Sequence, residues 1–175
     1  MGRTLRSRNG PGDLRIYRPV NRDVFIVHGH AHGDRDALVD IVRSADLNPR
    51  LLDREPKGGT IIEEFEILAS RCVFALVLLT PDDKWVSGVT NKAAFRARQN
   101  VVFEMGWFFH RLGRQRTRLI YRGNLDLPSD VTGVTSIHYE KDVNEVREKI
   151  IDALRDGGLI LPKRPVNRVN PTVNS

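Results

Sequence analysis

Glu104 is the one carboxylate inside Val101-Val102-Phe103-Glu104-Met105-Gly106-Trp107-Phe108-Phe109, a stretch in which seven of nine residues are apolar. Set on a helix of about 3.6 residues per turn, it shares its side with Ala97, Asn100, Val101, Trp107, Phe108 and Arg111. Apolar residues fall all round such a helix, the pattern of one packed into an interior. Glu104 is therefore expected at least partly buried, where an unpaired carboxylate costs several kcal/mol or keeps its proton. Two readings stand. In one, Glu104 forms a buried salt bridge with Arg98, Arg111 or a loop arginine. In the other it waits in a partly dry cleft, to stabilise positive charge developing on a sugar ring or to hydrogen-bond a ribose hydroxyl.

Other chemistry-bearing residues cluster in the first half of the chain. His28, His30 and His32 alternate, so an extended backbone would present two imidazoles on one side. A metal site would need more ligands than nearby Asp34 offers, and none is expected; the histidines and Gly29 suit the mouth of a cleft. Lys57-Gly58-Gly59-Thr60 stands at a helix start but lacks the phosphate-loop spacing. It reads as a capped loop, a mobile lid or an assembly surface. No GxSxG, HExxH or paired CxxC motif occurs, which removes serine and zinc hydrolase chemistry of those types.

The elements that must position these residues alternate between strand and helix. Val24-Phe25-Ile26-Val27 is a buried strand, followed by a helix capped by Asp34 with apolar positions Leu38, Ile41, Val42 and Ala45. Arg50-Leu51-Leu52 is a weaker strand. Thr60-Ile61-Ile62-Glu63 has capping-box spacing and opens a helix with an Ile61, Phe65, Leu68, Ala69 stripe. Val73 to Leu79 is apolar throughout, as a strand covered on both faces should be. A polar connection from Lys84 to Lys92 leads to a long helix over 93–112. Arg118 to Tyr121 and Thr135 to Tyr139 are strands, and a helix through Val143, Val146, Ile150 and Leu154 stops at Gly157-Gly158. This alternation predicts an α/β fold with a parallel, doubly wound sheet of about five strands and helices on both faces. Ligands bind such sheets beyond the carboxyl ends of the strands, where the order reverses.

Size and composition fit that picture. The 175 residues suffice for one domain, expected over 23–158, with a flexible basic arm over 1–22 and a flexible tail over 159–175. The net charge of +6 lies mostly outside the domain: residues 1–22 carry +5, residues 156–175 carry +2, and the rest carry −1. Nucleic acid is thus not an expected partner except through the basic tails. No run is long enough for a membrane span and no leader pattern opens the chain, so a cytoplasmic protein is expected. Cys72, the single cysteine, reads as a small buried side chain.

Taken together, five blocks resemble the bacterial TIR-like domains described as predicted nucleotide-binding proteins. They are Val24 to His30, Gly58 to Glu63, Val77-Leu78-Leu79-Thr80-Pro81-Asp82-Asp83, Ala97 to Gly106, and Leu127-Pro128-Ser129-Asp130 with Gly133. They cover 23 to about 155, in order and without large gaps. The resemblance implies a flavodoxin-like TIR fold and, in active members, hydrolysis of the nicotinamide–ribose bond of NAD+, with NAD+ as substrate and no cofactor. It implies Glu104 as the catalytic residue and Phe25, His28, Gly29, His30, Thr80, Asp82, Arg98, Asn100 and Asp130 around the substrate. The loop with Asp53, Lys57, Gly58 and Gly59 matches the segment that joins neighbouring subunits. Asn100 departs from the tryptophan common in other TIR branches, four residues before the catalytic glutamate. Members serve in anti-phage defence, often fused to a STING or other cyclic-nucleotide sensor, and gain activity by self-association into filaments or oligomers. The expected control is a separate sensor or activating chain, or the domain is one part of a larger system. The alternatives are a non-catalytic oligomerisation or nucleotide-binding module, and nucleotide base exchange or ribosyl transfer.

Overall fold

The computed structural model describes residues 21–52, 59–86, 93–131 and 134–160. Residues 1–20 of the expected 1–22 arm, residues 161–175 of the expected 159–175 tail, and Asp53, Lys57, Gly58 and Gly133 lie outside them. Five strands form one parallel sheet in the order β2-β1-β3-β6-β7: β1 (Asp23–His28), β2 (Asn48–Arg50), β3 (Phe74–Leu79), β6 (Thr117–Arg122) and β7 (Ser136–Tyr139). Between them run α1 (His32–Ser44), α2 (Ile61–Ser70) and α3 (Gln99–Leu112), and α4 (Arg147–Asp156) follows β7. A separate antiparallel hairpin, β4 (Asp83–Val86) and β5 (Ala93–Arg96), follows β3.

Strand side chains alternate between two cores, because successive Cβ atoms point to opposite faces. Val24 and Ile26 of β1, Phe74, Leu76 and Leu78 of β3 and Ile120 of β6 meet α1 and α4 on one face. Phe25 and Val27, Ala75, Val77 and Leu79, and Leu119 meet α2 and α3 on the other. This double coverage explains the unbroken apolar runs of β1 and β3. The fold is the expected flavodoxin-like TIR architecture, and the packed chain continues past Gly158 to Leu159, which is buried in the first core.

Several local expectations are corrected. Helix α3 starts at Gln99 rather than near 93, because Ala93 to Arg96 pairs with Asp83 to Val86. Opposite charges face each other at Asp83 and Arg96, whose guanidinium lies 5.7 Å from the Trp85 ring, and such cross-strand contacts outweigh helix propensity. Nor is α3 interior on all sides: Val101, Met105 and Phe108 are buried while Phe103 is 55% exposed. Strand β2 lies two residues earlier than expected, and its Pro49 is tolerated at a sheet edge, where a ladder donor is dispensable. Asp34 does not cap α1, which begins at His32; it is buried instead.

Candidate active site

The chain leaves β1 toward β2 on one side, and β3 lies on the other, so the strand order reverses at β1 and opens a crevice beyond its carboxyl end. A cavity of about 310 Å³ occupies that place, lined by His28 at the end of β1, His30 in the loop that follows, Leu52 after β2, Ile61 at the start of α2, and Arg98, Asn100, Val101 and Glu104 at the start of α3. Two helices thus begin at the cleft. α2 is fixed by the expected capping box: Thr60 Oγ1 accepts from the Glu63 amide at 3.3 Å and the Thr60 amide donates to Glu63 at 2.8 Å. α3 begins after Arg98, with no side-chain cap.

Glu104 lies one to two turns into α3, half-buried. Desolvation by burial pushes its carboxyl up to about 7, and the charge of Arg98 pulls in the opposite direction. None of the ion pairs among the described residues includes Glu104. Arg98 instead places Nη1 2.7 Å from Nε2 of His30. Arg111 reaches toward the Ser70 carbonyl at 3.4 Å. The result is a carboxyl group that holds or releases its proton near neutrality, under the influence of the cation of Arg98, the residue that precedes the same helix.

Thr80 and Asp82 take a different place from the cavity wall. Asp82 accepts from the His30 amide at 3.1 Å and from Thr80 Oγ1 at 3.0 Å, and Thr80 is almost fully buried. Gly29 is buried beneath this carboxylate: a Cβ there would meet Asp82 Oδ2 at 1.7 Å. Phe25 is a core ring, 1% exposed, with Phe65 and Phe108 at centroid distances of 5.6 and 4.9 Å. Asp130, exposed on a single 3-10 turn (Ser129–Val131), does not line the cleft. Gly59 is exposed at the approach to α2 with φ of +119°.

His32 belongs to a neighbouring cavity of about 440 Å³ with Arg35, Asp36 and Arg43, which shares His28 and Leu52 with the first. Among the described residues no group of three or more His, Cys, Asp or Glu could hold a metal ion, and no helix is long and apolar enough to cross a membrane.

Sequence reasoning missed Leu52, Ile61 and Val101 as cavity walls; each is an apolar residue next to a polar one that drew attention. It also missed a buried cluster behind the β1–α1 loop, in which Asp34 Oδ2 accepts from Arg122 and from the Tyr139 hydroxyl, both at 2.9 Å.

A parallel five-stranded sheet wound on both faces, with a carboxyl-bearing helix opening onto the reversal point, defines a doubly wound α/β domain of flavodoxin-like architecture. The chain belongs to the family described as CAP12/Pycsar effector protein, TIR domain, whose model matches residues 23–141. It is 42% identical over 123 residues to the uncharacterized protein YuaY of Escherichia coli K12, covering 68% of this chain and 40% of that protein. It is 35% identical over 138 residues to protein tirC of Dictyostelium discoideum, covering 73% and 69%. It is 40% identical over 86 residues to the Pycsar effector protein PaPycTIR of Pseudomonas aeruginosa, covering 48% and 27%. The chain thus spans less than half the length of the Escherichia and Pseudomonas relatives.

Proposed function

We infer that this domain is an NAD+ glycohydrolase, and that it acts in the cytoplasm as an antiviral effector once copies assemble. The single observation that carries this is the half-buried Glu104, raised to about 7, at the wall of a cleft with Arg98 and His30. Membership of a family that includes named Pycsar effectors supports the biological setting.

Nicotinamide in NAD+ is a cationic leaving group that departs neutral, taking the electrons of its bond to ribose, so no general acid is needed. The demand is for negative charge next to the oxocarbenium-like ribose and for a positioned water. Ionised Glu104 meets the first. It also accepts the proton of the water that closes on C1′, leaving ADP-ribose. Arg98 stands where it can pair with phosphate oxygens or hold Glu104 ionised. A cavity of about 310 Å³ lies at the small end of ligand pockets and suits the nicotinamide riboside half of the dinucleotide, while the adenylate half extends outward. Exposed Gly59 and Asp53, Lys57 and Gly58, which precede it in the sequence, are proposed for assembly, with a separate sensor or activating chain supplying the trigger.

The test is chromatography of NAD+ incubated with concentrated protein, with and without a crowding agent and cyclic-nucleotide activators. Release of nicotinamide by the wild type and not by Glu104→Gln is the expected result. NAD+ left intact in every condition would instead mark a non-catalytic module, and release only with an added acceptor base would mark a transferase.

A further inference from the structure

We propose that Asp82 is the positioning residue of the cleft: its carboxylate fills the space that the missing side chain of Gly29 leaves, fixes the backbone at His30, and through His30 holds Arg98 beside Glu104. Four observations converge. The carboxylate engages both its oxygens, one on the His30 amide at 3.1 Å and the other on Thr80 Oγ1 at 3.0 Å. Thr80 is itself 1% exposed, at the end of the most deeply buried strand, so the anchor is rigid. Pro81 intervenes, and the Asp82 amide closes a tight turn onto the Thr80 carbonyl at 2.8 Å, which aims the carboxylate across the top of β3 toward β1. The fourth is the 1.7 Å approach of Asp82 Oδ2 to the position a Cβ would take on Gly29.

The last observation reassigns Gly29. A glycine beside a nucleotide cleft invites the view that it lets the ligand approach the backbone closely. Here the group that makes the close approach is a side chain of the same domain. An alanine at 29 can be accommodated only by swinging the Asp82 carboxylate away, which surrenders both of its hydrogen bonds. Gly29 and Asp82 are then one device, tying the loop after β1 to the loop after β3 across the point where the strand order reverses.

The chain of contacts continues to the reacting group. Arginine only donates, so the 2.7 Å contact from Arg98 Nη1 requires Nε2 of His30 to accept and puts the ring proton on Nδ1. A His30 backbone released from Asp82 lets the imidazole leave Arg98, and Arg98 is then free to leave Glu104.

A double-mutant cycle tests this. The activity arm rests on the glycohydrolase reading; a second arm does not. Asp82→Ala is expected to lower kcat/KM for nicotinamide release about tenfold or more, mainly in kcat, since a misplacement of about 1 Å is enough for such losses. Gly29→Ala does the same by expelling the carboxylate, and Gly29→Ala with Asp82→Ala loses no more than either alone. Losses that multiply in the double variant overturn the proposal. Asp82→Asn, whose amide oxygen can accept from the His30 amide and whose NH₂ can donate to Thr80 Oγ1, recovers most of the loss; a loss equal to that of Asp82→Ala overturns positioning as the role. The second arm reads His30 by imidazole nitrogen NMR. The Nδ1–H tautomer is expected in the wild type and in Asp82→Asn, and the Nε2–H tautomer in Asp82→Ala, Gly29→Ala and the double variant. An unchanged tautomer in those three overturns the proposal even where no nicotinamide is released by any protein, an outcome that separately removes the glycohydrolase reading.

Discussion

Nη1 of Arg98 stands 2.7 Å from Nε2 of His30, joining the residue that precedes α3 to the loop that follows β1. The two walls of the cleft are held together by this contact, and the same guanidinium supplies the positive charge that opposes the desolvation of Glu104. Removing it has consequences on both walls.

For Arg98→Gln, the lost charge lets burial raise the Glu104 carboxyl further, so the pH midpoint of kcat/KM for nicotinamide release shifts upward by on the order of half to one unit. Arg98→Lys keeps the charge and loses the planar fork. Its midpoint stays near that of the wild type while KM rises. Initial rates across pH measure both.

Glu104 makes stability depend on pH in a stated direction. Its carboxyl is at about 7 in the fold against an ordinary value of 4.5. Between those values the folded protein holds a proton that the unfolded chain has released, so this group's contribution to stability falls as pH rises through the window and is level above it. Glu104→Gln is therefore more stable relative to wild type at about pH 8 than at about pH 5, by at most about 3 kcal/mol. Paired thermal melts at the two pH values check this. An equal difference at both would mean that the carboxyl is not desolvated. Activity has the opposite slope, rising toward alkaline pH as the carboxylate forms.

Phe65 is the chief anchor of α2, whose only other buried residue is Ala69. Its ring meets Phe25, Trp107 and Phe108 at centroid distances of 5.6, 5.2 and 5.8 Å, all edge-on. Phe65→Ala is expected to cost about 3 to 5 kcal/mol in urea unfolding. Because Ile61 of the same helix lines the cleft, a milder Phe65→Leu also raises KM for NAD+.

Asp34 is nearly buried and accepts from both Arg122 and Tyr139. Asp34→Ala leaves a buried hydroxyl and a partly buried cation without their acceptor and should cost about 2 to 4 kcal/mol. Tyr139→Phe removes one bond and should cost about 1 kcal/mol. The Arg122 side chain is 33% exposed, so water screens its share and the loss from Arg122→Ala lies nearer the lower figure. Denaturant midpoints of the three variants order them.

Much of this is legible in the residue order. Unbroken apolar runs at Val24 to Val27 and Phe74 to Leu79 require strands covered on both sides, and alternation with helical stripes leaves few topologies. Thr60 and Glu63 announce the start of α2 by local hydrogen bonding alone. Glu104 stands out because a carboxylate in an apolar run has to be accounted for. What stays hidden depends on contacts distant in sequence. Ala93 to Arg96 becomes a strand only because Asp83 to Val86 is there to pair with it. Asp34 looks like a cap until Arg122 and Tyr139 arrive, 88 and 105 residues later. Phe25 and Asp82 fall within the right blocks, but only the packing distinguishes a core ring and a clasp from a cavity wall.

The two helices that begin at the cleft are secured unequally: a reciprocal capping box closes the start of α2, whereas no side chain caps α3. Arg98, Asn100, Val101 and Glu104 all sit at that uncapped end. Fraying of the first turns of α3 needs far less free energy than melting of the sheet beneath, since helix ends open independently of the core. On the glycohydrolase reading, nicotinamide release is then expected to fail at a lower temperature than the fold itself, and anything that packs on the exposed start of α3 would narrow that gap.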